Sequence, residues 1–193
     1  MGRASKEAAA RTRIRIIETA SDLFRSSGVD QVSVADVMSA LGLTTGGFYK
    51  HFSSKEALVA EAMGLAFERS STAWRDANRH DDEAPRRRRA RLVDYYLRPD
   101  PQTRCPMIAF AAHVASAPAR CGARQSYRQG TEALLDSFAG PTGRGAPPST
   151  AEREAMLLFA AMIGARVLKE AAGDAEWMDR IRDAVRHAAG AAA

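Results

Sequence analysis

The stretch 33–55 constrains the fold of this 193-residue chain more than any other, because it has the pattern of two short helices joined by a glycine-containing turn. Ser33 and Asp36 are spaced as a capping pair, which predicts a helix beginning directly after Ser33. Gly42 marks the end of that helix, and one of the two threonines that follow can cap the next. The sequence therefore predicts a helix-turn-helix, whose second helix can enter a DNA major groove.

The second helix of this motif has a composition that packing alone does not favour. Phe48 and Phe52 are four residues apart and share one face, while Tyr49 projects elsewhere. Gly46 and Gly47 lie in the first turn, where each costs up to about 1 kcal/mol relative to alanine. Glycine permits a close approach of the backbone to a partner, which favours DNA recognition over the alternative of a loose turn in a helical hairpin.

Lys55 follows the motif at the start of a long helix. Ser53 and Glu56 have the spacing of a capping box, which places Lys55 in the first turn. A cation there is mildly unfavourable with respect to the helix dipole, unless the lysine and nearby N–H groups bind a phosphate together. The alternative is a solvated surface lysine.

Three segments carry a family resemblance. Residues 16–30 (IIETASDLFRSSGVD), 32–42 (VSVADVMSALG) and 47–58 (GFYKHFSSKEAL) resemble the TetR/AcrR family of transcriptional regulators, with the match covering roughly residues 10–60. The resemblance implies an all-α homodimer. It further implies an N-terminal three-helix helix-turn-helix DNA-binding domain over residues 1–55 and a C-terminal helical effector-binding and dimerisation domain over residues 56–193.

The resemblance also implies which residues face DNA. The matching positions in this chain are Ser33, Thr44, Thr45, Gly46, Tyr49, Lys50 and His51, with Lys55 on a phosphate. The Gly46–Gly47 pair is a departure from the family pattern, because it leaves fewer side chains for reading bases.

The charge of the chain agrees with a polyanionic partner. The formal net charge is +5 and the pI is about 9.6. Within the first fifteen residues, basic side chains outnumber the single acid, Glu7; they are Arg3, Lys6, Arg11, Arg13 and Arg15. We expect a partly disordered basic arm that contacts backbone phosphates or the minor groove, or alternatively serves as a solubilising tail.

The sequence gives no sign of secretion or of a membrane span, so we expect a cytoplasmic protein with no membrane partner. The longest uncharged run, 105–119, is too short to cross a bilayer. The chain has 2 cysteines, which do not make a disulfide scaffold. No cofactor or metal site is expected.

The sequence predicts further helices in the rest of the chain. The expected ranges are 54–79, 85–97, 105–117, 119–138, a helix capped by Ser149 or Thr150 that runs to Ala172, and one capped by Asp174 that runs to Ala189. Residues 140–148 read as a flexible linker. Arg86 to Arg89 point all around their helix, which favours a solvated, ion-paired helix start over a DNA contact.

The helix over 151–172 is apolar on most of its circumference, which predicts burial on more than one face. Trp177, Ile181 and Val185 form a stripe on the final helix. We expect a homodimer through residues 150–189, in which both helices pair with their symmetry mates as a four-helix bundle.

An effector pocket is expected in the C-terminal part by resemblance. The candidate lining residues are Met63, Phe67, Met107, Phe110, His113, Phe159 and Met162. The alternative for each is an ordinary core position, and for His113 a hydrogen-bonded interior histidine. A cavity lined in this way favours a small hydrophobic or aromatic effector.

Cys105 is a candidate thiol sensor. Pro106 suits the first position of a helix, which places Cys105 at the N-cap beside Arg104, where a thiolate is favoured. The segment is also similar to the Gly-Cys pair of some electrophile- or oxidant-responsive family members, with arginine replacing the glycine. The alternative is an unreactive, partly buried cysteine.

Together with these observations, the family resemblance implies a ligand- or redox-responsive repressor that binds a palindromic DNA operator as a homodimer and is released by a hydrophobic or electrophilic effector. The alternatives are a non-sensing DNA-binding protein and a transcriptional activator of the same fold. An enzyme is not expected, because the sequence lacks a nucleophile elbow, a phosphate loop and a His-Glu-x-x-His pattern, and its 4 histidines are dispersed.

Overall fold

The computed structural model describes residues 2–78, 84–98, 104–140 and 147–190, and within these ranges the regular elements are all helices. In chain order they are α1 Gly2–Ser27, α2 Val34–Ala40, α3 Thr45–Phe48, α4 Lys55–Ala77, α5 Pro85–Tyr96, α6 Pro106–Ala109, α7 Ala111–Ser116, α8 Gly122–Ala139, α9 Thr150–Ala172 and α10 Glu176–Ala189. The predicted all-α class is confirmed.

The chain forms two compact units, and α4 and α8 each run from one into the other. The first unit contains Met1–Arg69 and Pro101–Gly130, and the second contains Ser70–Asp100 and Thr131–Ala193. The first unit thus continues past residue 55, the predicted end of the DNA-binding domain, and takes in the segment around α6 and α7. The functional boundary at residue 55 stays a prediction.

The core of the first unit is built from apolar side chains spaced at helical intervals. Ile16 and Phe24 of α1, Met38 of α2 and Leu58 of α4 are each at most 1% exposed. Burying a side chain of this size stabilises the fold by about 1.5–3 kcal/mol. The apolar periodicity of residues 16–58 therefore decides how the first four helices pack.

Gly130 of α8 allows an unusually close helix contact in the same unit. A Cβ at this position would lie 2.2 Å from a ring carbon of Phe67 on α4, so only glycine fits. The Phe67 ring packs edge-on against Tyr127 with centroids 5.7 Å apart, and the Tyr127 hydroxyl donates to the Met107 carbonyl at 2.7 Å. This contact fixes α8 on α4 and α6.

The core of the second unit is an aromatic cluster. The Trp74 ring lies 6.1 Å from Tyr96, 6.3 Å from Phe138 and 6.3 Å from Phe159, measured between centroids. Arg166 of α9 packs against the cluster. Its guanidinium lies 5.7 Å from the Tyr96 ring centroid and donates to the Tyr96 carbonyl at 2.7 Å.

The start of α9 agrees with the sequence prediction, whereas the start of α10 does not. Ser149 and Glu152 form a reciprocal capping box at α9. The predicted N-cap of α10, Asp174, is wrong by one residue: Ala175 holds the N-cap position, and the Asp174 carboxylate pairs with Lys169 instead. That pair lowers the pKa of Asp174 through a hydrogen bond and the lysine charge.

Two further expectations need correction. The basic N-terminal segment is not a partly disordered arm, because α1 is helical from Gly2; its alanine-rich composition favours helix, and the Thr12 hydroxyl donates to the Ala8 carbonyl at 3.0 Å. The single helix expected over 105–117 is broken at Phe110, which leaves α6 and α7 separate. Phe110 is completely buried at this bend.

The remaining helix limits shift slightly. α4 ends at Ala77, α5 ends at Tyr96, and α8 begins at Gly122 instead of 119. Most of the expected linker, residues 141–146, lies outside the described residues, as does His80. No described helix is both long and apolar enough to cross a membrane.

Candidate nucleic-acid interface

α2 begins with a capping box, as its sequence predicts. The Asp36 carboxylate accepts from the Ser33 backbone N–H at 2.7 Å, and the Asp36 N–H donates back to the Ser33 hydroxyl oxygen at 3.1 Å. The hydrogen bonds from Ser33 lower the pKa of Asp36, with a smaller contribution from the charge of Lys55. The start of α2 is therefore fixed by purely local chemistry.

The turn after α2 depends on one glycine. Gly42 has a φ of +68°, a conformation that side chains with a Cβ rarely adopt. The Leu43 N–H donates to the Met38 carbonyl at 2.9 Å, which closes the end of α2 and leads the chain into α3. Thr44 holds the N-cap position of α3, but its hydroxyl makes no capping hydrogen bond.

A pair of buried rings anchors α3 to the unit. Phe48 and Phe52 are 0% and 4% exposed and stack with their centroids 5.4 Å apart. Arg13 of α1 covers this pair, because its guanidinium lies 4.7 Å from the Phe52 centroid while it bonds Glu61 of α4 at 2.6 Å. Arg13, one of the basic residues expected in the arm, is thus partly engaged inside the unit.

The opposite side of α3 is open. Tyr49, directly beside the buried Phe48, is 69% exposed, and their rings meet edge to face at 5.2 Å. The residues exposed with it are Ser33, Thr44, Thr45, Gly46 and Lys50, whereas His51 is half-buried. All of the residues predicted to face DNA before Lys55 thus lie on α3 or at its borders, apart from Ser33 at the start of α2.

Neither glycine of α3 is required by packing. A Cβ at Gly46 would meet no atom within 4 Å, and one at Gly47 would meet Met38 at 3.7 Å, an ordinary contact. Both glycines lack a positive φ. Alanine would therefore fit at each position of the free protein, so packing within this unit does not account for glycine there.

The regular part of α3 is short. The helix covers only Thr45–Phe48, and residues 49–51 continue as turns in which the His51 N–H donates to the Phe48 carbonyl at 2.9 Å. The segment from Thr44 to His51 is hence one regular turn followed by looser winding.

Lys55 is positioned by a contact that the sequence does not reveal. Its ammonium donates to the Val29 carbonyl, in the connection between α1 and α2, at 2.7 Å. The lysine lies at the first position of α4, but the cap is Ser54 and not the predicted Ser53: the Ala57 N–H donates to the Ser54 hydroxyl at 3.1 Å. The pKa of Glu56 is lowered chiefly by a hydrogen bond from its own backbone N–H and further by one from the Ser54 hydroxyl. An ammonium has three donors, so this contact leaves capacity for a phosphate.

The segment 104–117 makes two polar contacts with α1 and the connection between α1 and α2. Arg25 of α1 donates to the Arg104 carbonyl at 2.8 Å, and His113 Nδ1 lies 3.0 Å from the Asp30 carboxylate. His113 is therefore hydrogen-bonded, with 21% of its side chain exposed. The partners in these two contacts are 79 and 83 positions apart in the chain, so no local sequence pattern indicates them.

Cys105 occupies the predicted N-cap of α6, with Pro106 at the start of the helix. Its side chain is buried, and the helix that follows has only four residues, which limits the dipole that would favour a thiolate. Cys121 is half-buried, and its sulfur accepts from the Arg124 N–H at 3.4 Å. Neither cysteine is in a disulfide.

The predicted effector-pocket residues are core residues of two different units. Met63, Phe67, Met107 and Phe110 are buried in the first unit, as are Phe159 and Met162 in the second, and His113 is half-buried. Their role in effector binding stays a prediction.

The second unit contains a cavity with a different lining. It has a volume of about 620 Å³ and lies where the end of α4, the start of α5 and the end of α8 meet. Charged side chains line it, including Arg75, Arg88 and Arg89, next to the apolar Leu92 and Phe138. Among the described residues, no group of three or more His, Cys, Asp or Glu side chains could hold a metal ion.

α9 and α10 expose large apolar side chains. Leu157 is 71% exposed, Trp177 46%, and Val167 and Leu168 42% each. The prediction that Val185 belongs to a partner-facing stripe with Trp177 and Ile181 is wrong, because Val185 is only 7% exposed and packs inside the unit, as Met178 does. Large exposed apolar side chains thus lie in the segment expected to pair with a second copy.

Comparison with known proteins links this geometry to a family. Residues 16–62 match the family described as bacterial regulatory proteins, tetR family. The HTH-type transcriptional regulator TtgR of Pseudomonas putida is 34% identical over 85 residues, which cover 44% of this chain and 40% of TtgR. The HTH-type transcriptional regulator AcrR of Shigella flexneri is 36% identical over 66 residues, or 34% of this chain and 31% of AcrR. The chain thus matches less than half the length of these curated relatives.

Among solved structures the similarity extends over nearly the whole chain. A TetR transcriptional regulator from Chloroflexus aurantiacus J-10-FL superposes with a TM-score of 0.70 at 26% identity, covering 94% of this chain and 95% of that protein. The sequence similarity to the curated relatives is confined to part of the chain, whereas the fold is shared throughout.

Proposed function

Because the chain belongs to the TetR/AcrR family of transcriptional regulators, we propose that it is a repressor that binds a palindromic operator as a homodimer and is released by an effector. The observation that carries this proposal is the construction of α3. Phe48 is completely buried while the adjacent Tyr49 is 69% exposed, so a rigid anchor presents a row of open positions to a partner.

The chemistry of that row suits DNA. The hydroxyls of Thr44, Thr45 and Tyr49 can hydrogen-bond bases or phosphates, and Lys50 and Lys55 supply positive charge. The open space at Gly46 allows the backbone of α3 to reach the floor of the groove without a methyl group in the way. Ser33 and His51 flank the row and complete the proposed DNA contacts.

The proposed dimer is supported by the exposed apolar side chains of α9 and by Trp177 of α10. Leaving Leu157 and Trp177 in water is unfavourable, and their burial against a second copy would remove this cost. A single short reading helix makes too few contacts for tight binding, whereas two copies related by a twofold axis double the contacts on a palindrome. We place the interface in residues 150–189.

Release requires an effector that prefers a second state of the dimer. If two arrangements of the reading helices are populated and only one fits the operator, a ligand that binds the other shifts the population and lowers DNA affinity. Modification of Cys105 is a second route to the same shift. Since the thiol is buried, an electrophile can reach it only when the segment around α6 opens.

The proposal is tested by selecting DNA duplexes from a random library with the full-length protein and measuring the mass of the complex by light scattering. We expect a palindromic consensus bound by two chains per site. A monomer at micromolar concentration, or a selected sequence without twofold symmetry, contradicts the homodimer.

The sensing part has its own test. Cys105→Ser should bind the selected duplex like the wild type but no longer release it on exposure to a quinone or hypochlorite. Normal release by this variant excludes the thiol as the sensor. A protein that binds the operator but increases transcription from it in a reconstituted reaction would be an activator of the same fold.

A further inference from the structure

The connection between α1 and α2, residues 28–33, is held by side chains from two other helices. From α4, the Lys55 ammonium donates to the Val29 carbonyl at 2.7 Å. From α7, His113 Nδ1 lies 3.0 Å from the carboxylate of Asp30, the next residue of the connection. Two adjacent residues thus join α7 to the lysine for which a phosphate contact is proposed.

The contact between His113 and Asp30 has a defined direction. An ionised carboxylate only accepts hydrogen bonds, so Nδ1 of His113 carries the proton that is shared here. The imidazole is also the more enclosed partner, because 21% of the His113 side chain is exposed against 72% of the Asp30 side chain. The imidazole is therefore fixed by its packing, and the aspartate takes its position from the imidazole.

A second bond ties the same segment to α1. Arg25, in the last turn of α1, donates to the carbonyl of Arg104, which precedes α6, at 2.8 Å. The segment 104–117 is thus bonded on both sides of the point where α1 passes into the connection. These two bonds keep α7 in place relative to the connection, so that His113 can determine where Asp30 lies.

His113 also acts on the first turn of α4. The pKa of Glu56 is lowered chiefly by hydrogen bonds from its own backbone N–H and from a neighbouring serine, with smaller contributions from the charges of Lys55 and His113. The imidazole therefore lies within electrostatic reach of the start of α4 as well as of Asp30.

We infer that His113 is a positioning residue for DNA binding: by holding Asp30 it fixes the neighbouring Val29 carbonyl, and that carbonyl directs the Lys55 ammonium towards a phosphate. The inference rests on the proposed function, in which Lys55 contacts the DNA backbone. A long lysine side chain loses conformational entropy when it binds a phosphate, and an acceptor that is already in place reduces this loss. The bond to Val29 occupies one of the three ammonium donors and leaves two for the phosphate.

The test compares two replacements of His113 in the full-length protein, with affinity for the duplex selected by the wild type measured by fluorescence anisotropy. His113→Leu removes the donor, whereas His113→Asn keeps an N–H near the position of Nδ1. We expect His113→Leu to bind about threefold more weakly for each half-site, as the loss of a partly exposed charged contact predicts, and His113→Asn to restore most of the affinity.

Two further variants accompany them. Asp30→Ala removes the other partner at a largely exposed position, so it should show the same loss as His113→Leu and decides the question even if His113→Leu does not fold. Ser116→Ala is the control on α7, because the Ser116 hydroxyl donates to carbonyls of its own helix, and it should bind DNA like the wild type.

A double-mutant cycle with Lys55→Ala separates positioning from a general loss of stability. If His113 acts through Lys55, then adding Asp30→Ala or His113→Leu to Lys55→Ala should not weaken DNA binding further. The same loss in the Lys55→Ala background as in the wild type overturns the inference. So does wild-type affinity in Asp30→Ala, a loss in His113→Asn as large as in His113→Leu, or an equal loss in Ser116→Ala.

Failure of this inference and failure of the proposed function are distinguishable. Amide hydrogen exchange of residues 28–33, measured without DNA, should be at least about threefold faster in Asp30→Ala than in the wild type, because the connection loses one of its bonds. Unchanged exchange overturns the positioning role while leaving the repressor intact. A wild type that selects no duplex refutes the proposed function, and the role in DNA binding fails with it even if exchange is faster.

Discussion

Replacing Gly46 with alanine should stabilise the protein and weaken its binding to DNA. In the free protein the new methyl group meets no atom within 4 Å, and the backbone has no positive φ. Since alanine is the better helix former and restricts the unfolded chain more, the free energy of unfolding should rise by about 0.4–1 kcal/mol. For a chain of this size that is an increase in Tm of about 1–4 °C.

On DNA the same methyl group should be harmful. If the backbone at Gly46 approaches base edges or phosphates, an added carbon forces α3 outward and weakens neighbouring contacts by about 1–3 kcal/mol, the cost of losing one good base contact. This corresponds to roughly a five- to 150-fold weaker Kd. The measurements are thermal unfolding without DNA and fluorescence anisotropy with the duplex selected by the wild type.

Gly64→Ala is the control, because Gly64 also lies in a helix, and a Cβ added there would meet no atom within 4 Å. It should raise Tm in the same way and leave DNA affinity unchanged. If Gly46→Ala binds the duplex as tightly as the wild type, glycine at this position does not serve a close approach and our reasoning about α3 is wrong.

Three other substitutions test separate parts of the structure. Lys55→Ala should reduce the slope of the logarithm of the DNA-binding constant against the logarithm of salt concentration by about one. It should also lower the free energy of unfolding by about 1–2 kcal/mol, because the hydrogen bond to the Val29 carbonyl is lost. An unchanged slope shows that Lys55 does not contact a phosphate. Asp36 has a lowered pKa in the folded state, so its contribution to stability is present above its ordinary pKa and is lost as the pH falls through the folded value. The free energy of unfolding of Asp36→Asn should therefore change less with pH below about pH 4 than that of the wild type. An equal pH dependence in the two proteins contradicts the capping interaction. Gly130→Ala should destabilise the protein by about 1–3 kcal/mol in urea unfolding, because the methyl group overlaps the Phe67 ring; a stable variant shows that α8 can move away from α4 freely.

The sequence predicts this fold well wherever the signal is local. The capping boxes of α2 and α9 bring together residues three positions apart, so the Ser33–Asp36 and Ser149–Glu152 pairs can be read directly. Where two possible capping residues are adjacent, the sequence can indicate the wrong one. It predicts Ser53 as the cap of α4, whereas Ser54 is the cap in the structure. The break at Phe110 is set by burial of its ring, which periodicity does not report.

The candidate site is predictable in part for the same reason. Phe48 and Phe52 fix which face of α3 is inside, and Tyr49 follows as exposed. The bond from Lys55 to Val29 spans 26 positions, and a pattern of single residues gives no indication of it.

The central claim is that the exposed side of α3 reads DNA, and Tyr49 offers the most direct measurement. Random duplex libraries should be selected in parallel with the wild type, with Tyr49→Ala, and with Tyr95→Ala, a second exposed tyrosine located on α5. Our account predicts that Tyr49→Ala changes the selected bases at twofold-related positions, while Tyr95→Ala recovers the wild-type consensus. The same consensus and affinity from all three proteins would contradict the assignment of α3 as the reading helix.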